Sequence, residues 1–227
     1  MIFVIEALLA LAYGVLAHLA SASGDDLYAL GALLALVAMM LAAGLAARRM
    51  WALATLPLSL GACWWLYAHG HASLPLLLVP VVFIAVISWW FARSLRSPHG
   101  ALITRIVAAI ERVPIAEVPD DLRRYTRALS AAWALVLGGL ALLNLVLALV
   151  ARPGGLLDSV GIVAPVSVTR EQWSWCANLL NYGIVGGFFA LEFRYRQKRF
   201  PGKDRNFLDF ARKMAGLGPA FWRGFLR

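Results

Sequence analysis

A chain of 227 residues that is 62% hydrophobic and only 15% charged, with a mean hydropathy of +0.75, is excluded from the ordinary soluble class; soluble domains carry roughly 25% charged residues. At about 20 residues per span it makes one compact membrane domain over residues 1–227, with no connection long enough for a second. The net charge of +9 would suit a nucleic-acid binder, but basic residues in a membrane protein collect in cytoplasmic loops, so their location decides.

The first apolar run, about 2–20, is interrupted by Glu6 and His18. Ala20-Ser21-Ala22 resembles a signal cleavage site, but no Lys or Arg precedes the run, which predicts an uncleaved helix. After the acidic turn Ser23-Gly24-Asp25-Asp26, a second span is expected at 27–47, ending on Arg48-Arg49. A third, at 51–68, carries Pro57; a fourth, at 74–91, carries Pro75 and Pro80. Trp64-Trp65 and Trp89-Trp90 close these last two as an interfacial aromatic belt, with the indole ring among acyl chains and its N–H among headgroups.

The connection 92–127 is the one long hydrophilic stretch between apolar blocks. Within it, Leu102, Ile103, Ile106, Val107 and Ile110 recur at helical spacing, with Thr104, Arg105, Glu111 and Arg112 on the opposite side. At about 12 residues this helix is too short to span, so it is expected to lie along the membrane surface. Asp120-Asp121, just after Pro119, match a helix start, where the helix dipole favours negative charge.

A fifth span is expected at 128–151, with Ser130, Ala134 and Gly138 one turn apart; that small-residue face allows close approach of another helix. A Gly- and Pro-punctuated loop leads to a sixth span at 173–193. The basic tail, 194–227, has apolar residues (Phe207, Leu208, Ala211, Met214) on one side and Arg205, Asp209, Arg212 and Lys213 on the other. It is expected to anchor on the membrane surface. The fold class is thus an all-α polytopic bundle of about six spans with interfacial amphipathic helices. With the N-terminus cytoplasmic, every Lys and Arg except Arg152 and Arg170 falls on one side, so the positive-inside rule puts both termini in the cytoplasm of a bacterial inner membrane. The charge is then mostly topological, and no nucleic-acid partner is expected.

Polar side chains within spans are costly and are the first functional candidates. Asn178, Asn181 and Glu192 fall within about 60° of one another on the sixth helix, and Arg196 continues their stripe. Asn144 and Asn181 lie at a similar depth, roughly 10–12 Å from the outer end of their spans, where an interhelical amide pair is possible. Glu6 and Glu192 lie toward the cytoplasmic end, where arginines could neutralise them or form a site for an anionic headgroup.

Several chemistries are unsupported. None of the four histidines is followed four residues on by an aspartate, as glycerolipid acyltransferases require. His69 and His71 form a lone HxH, Asp120-Asp121 is not repeated as a prenyl diphosphate–magnesium site requires, and no phosphate loop, GxSxG or HExxH occurs. No catalytic residue, metal or cofactor is expected; Cys63 and Cys176 read as small buried residues.

Three stretches together, FARSLRSPHGALITRIVAAIE (91–111), RRYTRALSAAW (123–133) and NLLNYGIVGGFFALEFRYRQKRFP (178–201), cover about a quarter of the chain. They resemble a bacterial inner-membrane family associated with aryl-polyene and xanthomonadin-type pigment and fatty-acid gene clusters. The residues that map are Phe91, Arg96, Gly100, Leu102, Ile103, Thr104 and Arg105, then Tyr125, Arg127 and Trp133, then Asn178, Asn181, Tyr182, Phe188, Glu192, Arg194 and Arg196. This chain departs at Ala101, where a proline is expected, and at Ser130, where a threonine is expected.

Members are sometimes labelled ketosynthases, but a ketosynthase needs a nucleophilic cysteine helped by two histidines in a soluble fold, which cysteines inside spans cannot supply. The resemblance implies an accessory role in making or exporting an acyl-carrier-derived polyene lipid. On that reading Arg96, Arg105, Arg127, Arg194 and Arg196 hold an anionic headgroup or an acidic acyl carrier protein. The Asn178, Asn181 and Glu192 face lines a groove for its chain, and Asn144, Tyr182 and Glu6 are further intramembrane polar candidates. The alternatives are a membrane-embedded acyl or lipid transferase with Glu192 or Glu6 as base, and a small lipid transporter or flippase.

Overall fold

Helices form where the apolar runs lie. The computed structural model describes residues 2–169, 172, 175, 181–200, 212 and 216. Among them the helices are α1 (Ile2–Ser23), α2 (Asp26–Ala46), α3 (Met50–Ala68), α4 (Leu74–Ser94), α5 (Leu102–Glu111), α6 (Asp120–Val150), α7 (Leu156–Ser159) and α8 (Asn181–Arg199). Two short strands, β1 (Ala151–Arg152) and β2 (Val168–Thr169), pair in parallel with Ala151 opposite Val168. Four helical stretches are long and apolar enough to cross a membrane: Val4–Ser23, Asp26–Ala46, Leu74–Ser94 and Asp120–Val150. α3 has the length, but Trp51, Trp64, Trp65, Tyr67 and Pro57 dilute its aliphatic content. The range expected for the last span lies partly outside the described residues; Asn178, Cys176 and most of the basic tail lie outside them too.

Local chemistry fixes the helix ends. Asp25 caps α2, its carboxylate accepting the Leu27 N–H at 2.8 Å. At the other end of α2, Arg48 is left-handed (φ 49°), and the Arg49 N–H returns to the Gly44 carbonyl at 2.9 Å. α5 closes in the same way at Arg112 (φ 56°), with the Val113 N–H on the Ala108 carbonyl at 3.0 Å. In both turns an arginine holds the position that glycine usually fills. α6 begins at Asp120, where the acidic pair implies a start, and continues for 31 residues. At 1.5 Å per residue that is about 46 Å, against a hydrocarbon core of about 30 Å. Its first two turns therefore extend beyond the apolar part.

The chain groups into two compact units, Met1–Val81 with Asn144–Trp173, and Val82–Leu143 with Ser174–Arg227. In the first, α1 packs on α2 so that a Cβ on Gly31 would stand 3.3 Å from Leu16. α2 meets α3 more closely still: a Cβ on Gly44 would lie 2.8 Å from both the Ala52 Cβ and the Trp51 ring. Ala20, Ala29 and Ala72 form a small core under Tyr67 and Leu76. Small residues make up most of the inward face of α2: Ala29, Ala32, Ala35 and Gly44 are buried along with Leu33 and Leu41, while Leu34 and Met40 are exposed. Lipid-embedded helices pack this way, because lipid tails solvate Leu as well as a protein core does.

In the second unit the small face of α6 does what its spacing implies. Ser88 Oγ of α4 donates to the Ala134 carbonyl at 2.8 Å and stands 3.2 Å from where a Cβ on Gly138 would be. α5 corrects the sequence expectation. Thr104, expected on the outer side, is buried together with Ala108, whereas Leu102, Ile103, Ile106, Val107 and Ile110 are only half-buried. A hydroxyl partner for Thr104 and the packing of Ala108 on Val118 and Leu122 together orient this helix.

Candidate functional site

α5 starts at Leu102 with Ala101 at its N-cap, a residue that cannot cap. Its first amides are satisfied from other helices. The Leu102 N–H donates to Ser94 Oγ of α4 at 2.9 Å, and the Ile103 N–H to Ser130 Oγ of α6 at 3.1 Å. Each serine spends its own proton on its own helix, Ser94 on the Phe91 carbonyl at 2.7 Å and Ser130 on the Thr126 carbonyl at 2.8 Å. Thr126 likewise donates to the Arg123 carbonyl at 3.1 Å, so in the 2.8 Å Thr104–Thr126 pair Thr104 is the donor. The start of α5 is therefore filled from within, and an anion would have to displace a serine to bind there.

α8 brings the predicted polar stripe to a buried face. Asn181 is buried and the Glu192 side chain is only 7% exposed. Glu192 Oε1 accepts the Tyr125 hydroxyl of α6 at 2.9 Å and lies 3.0 Å from Nε of Arg196, one turn on. Glu before Arg at this spacing is the favourable order on a helix. Aromatic rings close around the pair: Tyr125 packs against Tyr195 and Phe200 at 5.9 and 5.3 Å, and the Arg196 guanidinium lies 5.3 Å from the centre of the Phe193 ring. Farther along α8, Phe188 meets Trp133 edge-on at 4.7 Å, and Trp133 stacks on Phe91. Chemically the arrangement is a carboxylate paired with one guanidinium and one phenol, joining α8 to α6.

The structure divides the sequence candidates. Arg196 is committed to Glu192. Arg194, on the other side of α8, is exposed, as are Arg96 after α4 and Arg127 on α6; Arg105 is half-buried on α5. Tyr182 is turned outward, 77% exposed, so it does not share the polar face with Asn181 and Glu192. Asn144 is buried in the first unit, where Glu6 is half-buried on α1. Tyr125, mapped in the resemblance but not named as a site residue, is the residue that joins Glu192 to α6. Its partner lies 67 positions away, so no local pattern signals it. Among the described residues no group of three or more His, Cys, Asp or Glu side chains is placed to hold a metal ion. His69 bonds through Nδ1 to the Trp65 carbonyl at 2.8 Å, and Cys63 is a buried free thiol.

Comparison with protein-family models, with curated proteins and with solved structures finds no match.

Proposed function

We propose that this chain is a six-span protein of the bacterial inner membrane with both termini cytoplasmic. α5 and the basic tail lie on the cytoplasmic surface. Its role is that of a non-catalytic accessory to acyl-carrier-dependent polyene or lipid synthesis, presenting a basic face to an acidic acyl carrier protein or an anionic lipid headgroup. The observation that carries the docking reading is the exposure of Arg96, Arg127 and Arg194 in one compact unit, while the remaining charge of the polar stripe is neutralised internally between Glu192 and Arg196. Exposed arginines steer acidic partners, whereas a buried, paired carboxylate is how a membrane protein stores a structural charge. The assignment to polyene synthesis rests on the resemblance of the three stretches alone.

The test is binding of the purified protein to an acyl carrier protein and to anionic vesicles. Charge reversal at Arg96 and Arg127 together weakens binding and flattens its salt dependence. A variant that binds both as well as the parent sinks the docking reading. Loss of product in Glu192→Gln, with protein level and carrier binding intact, would instead favour the transferase.

A further inference from the structure

The segment joining β1 to β2 has no part in the docking reading, yet it is built with care. Asp158 braces its base: Oδ2 accepts the Gly154 N–H at 2.9 Å and Oδ1 pairs with Arg152 Nε at 3.2 Å. The paired strands bring its two ends together. α7 ends at Ser159, and two residues on the left-handed backbone of Gly161 (φ 75°) lets the Ile162 N–H reach back to the Leu157 carbonyl at 2.9 Å. Beyond the brace, Val160, Ile162, Val163 and Val166 stand between 53% and 71% exposed. No charged residue occurs between Asp158 and Arg170. Single exposed aliphatics are ordinary, but several within seven residues on a fixed base form a patch that asks for a cover.

Composition and continuity choose the cover. Protein interfaces are anchored by Tyr, Trp and Arg, and residues 153–169 contain none of them. The segment leaves α6 at Ala151, immediately after the apolar helix ends at Val150, and β2 returns it beside that point, so the tip stays within reach of the membrane surface. We propose that the 160–166 tip dips into the headgroup–acyl boundary at the outer end of α6 and anchors that end of the helix in lipid. This rests on the membrane-spanning reading above. α6 is then held by basic groups at one end and by an apolar tip at the other.

The experiment uses the full-length protein in liposomes with Cys63 and Cys176 changed to Ala. One label of nitrobenzoxadiazole is placed at Val163→Cys, with Val160→Cys as a second tip position and Leu142→Cys on the exposed side of α6 as the reference. The expected result at both tip positions is blue-shifted emission, quenching by shallow nitroxide lipids and protection from aqueous iodide, with Leu142 also quenched by lipid. Water-like emission and iodide quenching at the tip, with Leu142 still in lipid, overturn the anchor and leave the span intact. A tip shielded from both iodide and lipid nitroxide is covered by protein and equally overturns it. A label at Leu142 that reports water removes the membrane-spanning reading, and the anchor with it.

Discussion

Ser130 caps a helix to which it does not belong: its Oγ, fully buried in α6, accepts the Ile103 N–H of α5 at 3.1 Å. Together with Ser94 on Leu102 it explains why α5 begins where its own sequence offers no cap. Ser130→Ala leaves that amide buried without an acceptor, which costs about 1–3 kcal/mol. Ser94→Ala has the same consequence one residue earlier. Because either loss loosens the same helix end, the double variant is expected to cost less than the two singles added. Thermal unfolding in detergent, with expression as a control, measures all three.

Glu192→Gln keeps an acceptor for the Tyr125 hydroxyl but leaves the Arg196 guanidinium, whose side chain is only 18% exposed, without its counter-charge. A destabilisation of about 2–3 kcal/mol is expected, somewhat below that for a fully buried pair because Arg196 retains some water. The double variant Glu192→Leu with Arg196→Met removes both charges and is expected to recover most of the loss, since apolar replacement of a buried pair is often neutral. A double variant that regains stability but makes no product would show that the pair does more than hold α8 to α6.

The helices over the apolar runs, the Asp120 start and the small face at Ser130, Ala134 and Gly138 were legible in the sequence because each depends on neighbours within a turn or two, whereas the acidic turn before α2 was read without its Asp25 cap. The inward face of α5 was not legible. Burial of large apolar residues marks the inside of a soluble protein, but α5 leaves Ile106 and Ile110 half-buried and buries Thr104, whose hydroxyl meets that of Thr126. The polar stripe of Asn181, Glu192 and Arg196 followed from helical geometry. Its clamp to Tyr125 could not, since that contact depends on how α6 and α8 pack.

Gly44 and Gly61 are both helical glycines with opposite surroundings. A Cβ on Gly44 would lie 2.8 Å from Ala52 Cβ, so Gly44→Ala must push α2 and α3 apart; overpacking of this kind costs about 1–3 kcal/mol. Nothing stands within 4 Å of a Cβ on Gly61, so Gly61→Ala is expected to be neutral or to gain up to about 1 kcal/mol from helix propensity. Melting temperatures of the two variants should move in opposite directions, or only that of Gly44→Ala should move.

Arg112 holds the left-handed turn after α5 at φ 56°. A residue with a Cβ is disfavoured there by roughly 1 kcal/mol relative to Gly, so Arg112→Gly is expected to raise stability by about that amount. It also removes an exposed cation from the basic 92–127 connection, which holds Arg96 and Arg127 of the proposed docking face. The expected signature is a protein that melts higher and binds anionic vesicles less tightly, whereas Arg112→Asn should keep part of the stability gain because Asn tolerates this conformation. Vesicle sedimentation at two salt concentrations reads the second effect.

His99 and Ser167 are both exposed and are separated by one helix long enough to cross a bilayer, α6, because α5 has only ten residues. In a cysteine-free background His99→Cys and Ser167→Cys should therefore face opposite sides of the membrane. On the proposed topology the arginines around His99 lie in the cytoplasm, since Lys and Arg in short loops resist translocation while the 153–169 segment carries none. A membrane-impermeant maleimide added to intact cells freed of their outer membrane should label Ser167→Cys readily and His99→Cys only after permeabilisation. Labelling of both from outside would mean that α6 does not cross, and the arginine-rich face would then have no cytoplasmic partner to meet. Labelling of His99→Cys alone would invert the protein and place its basic groups against the positive-inside rule, an arrangement for which the remaining loops offer no compensating charge.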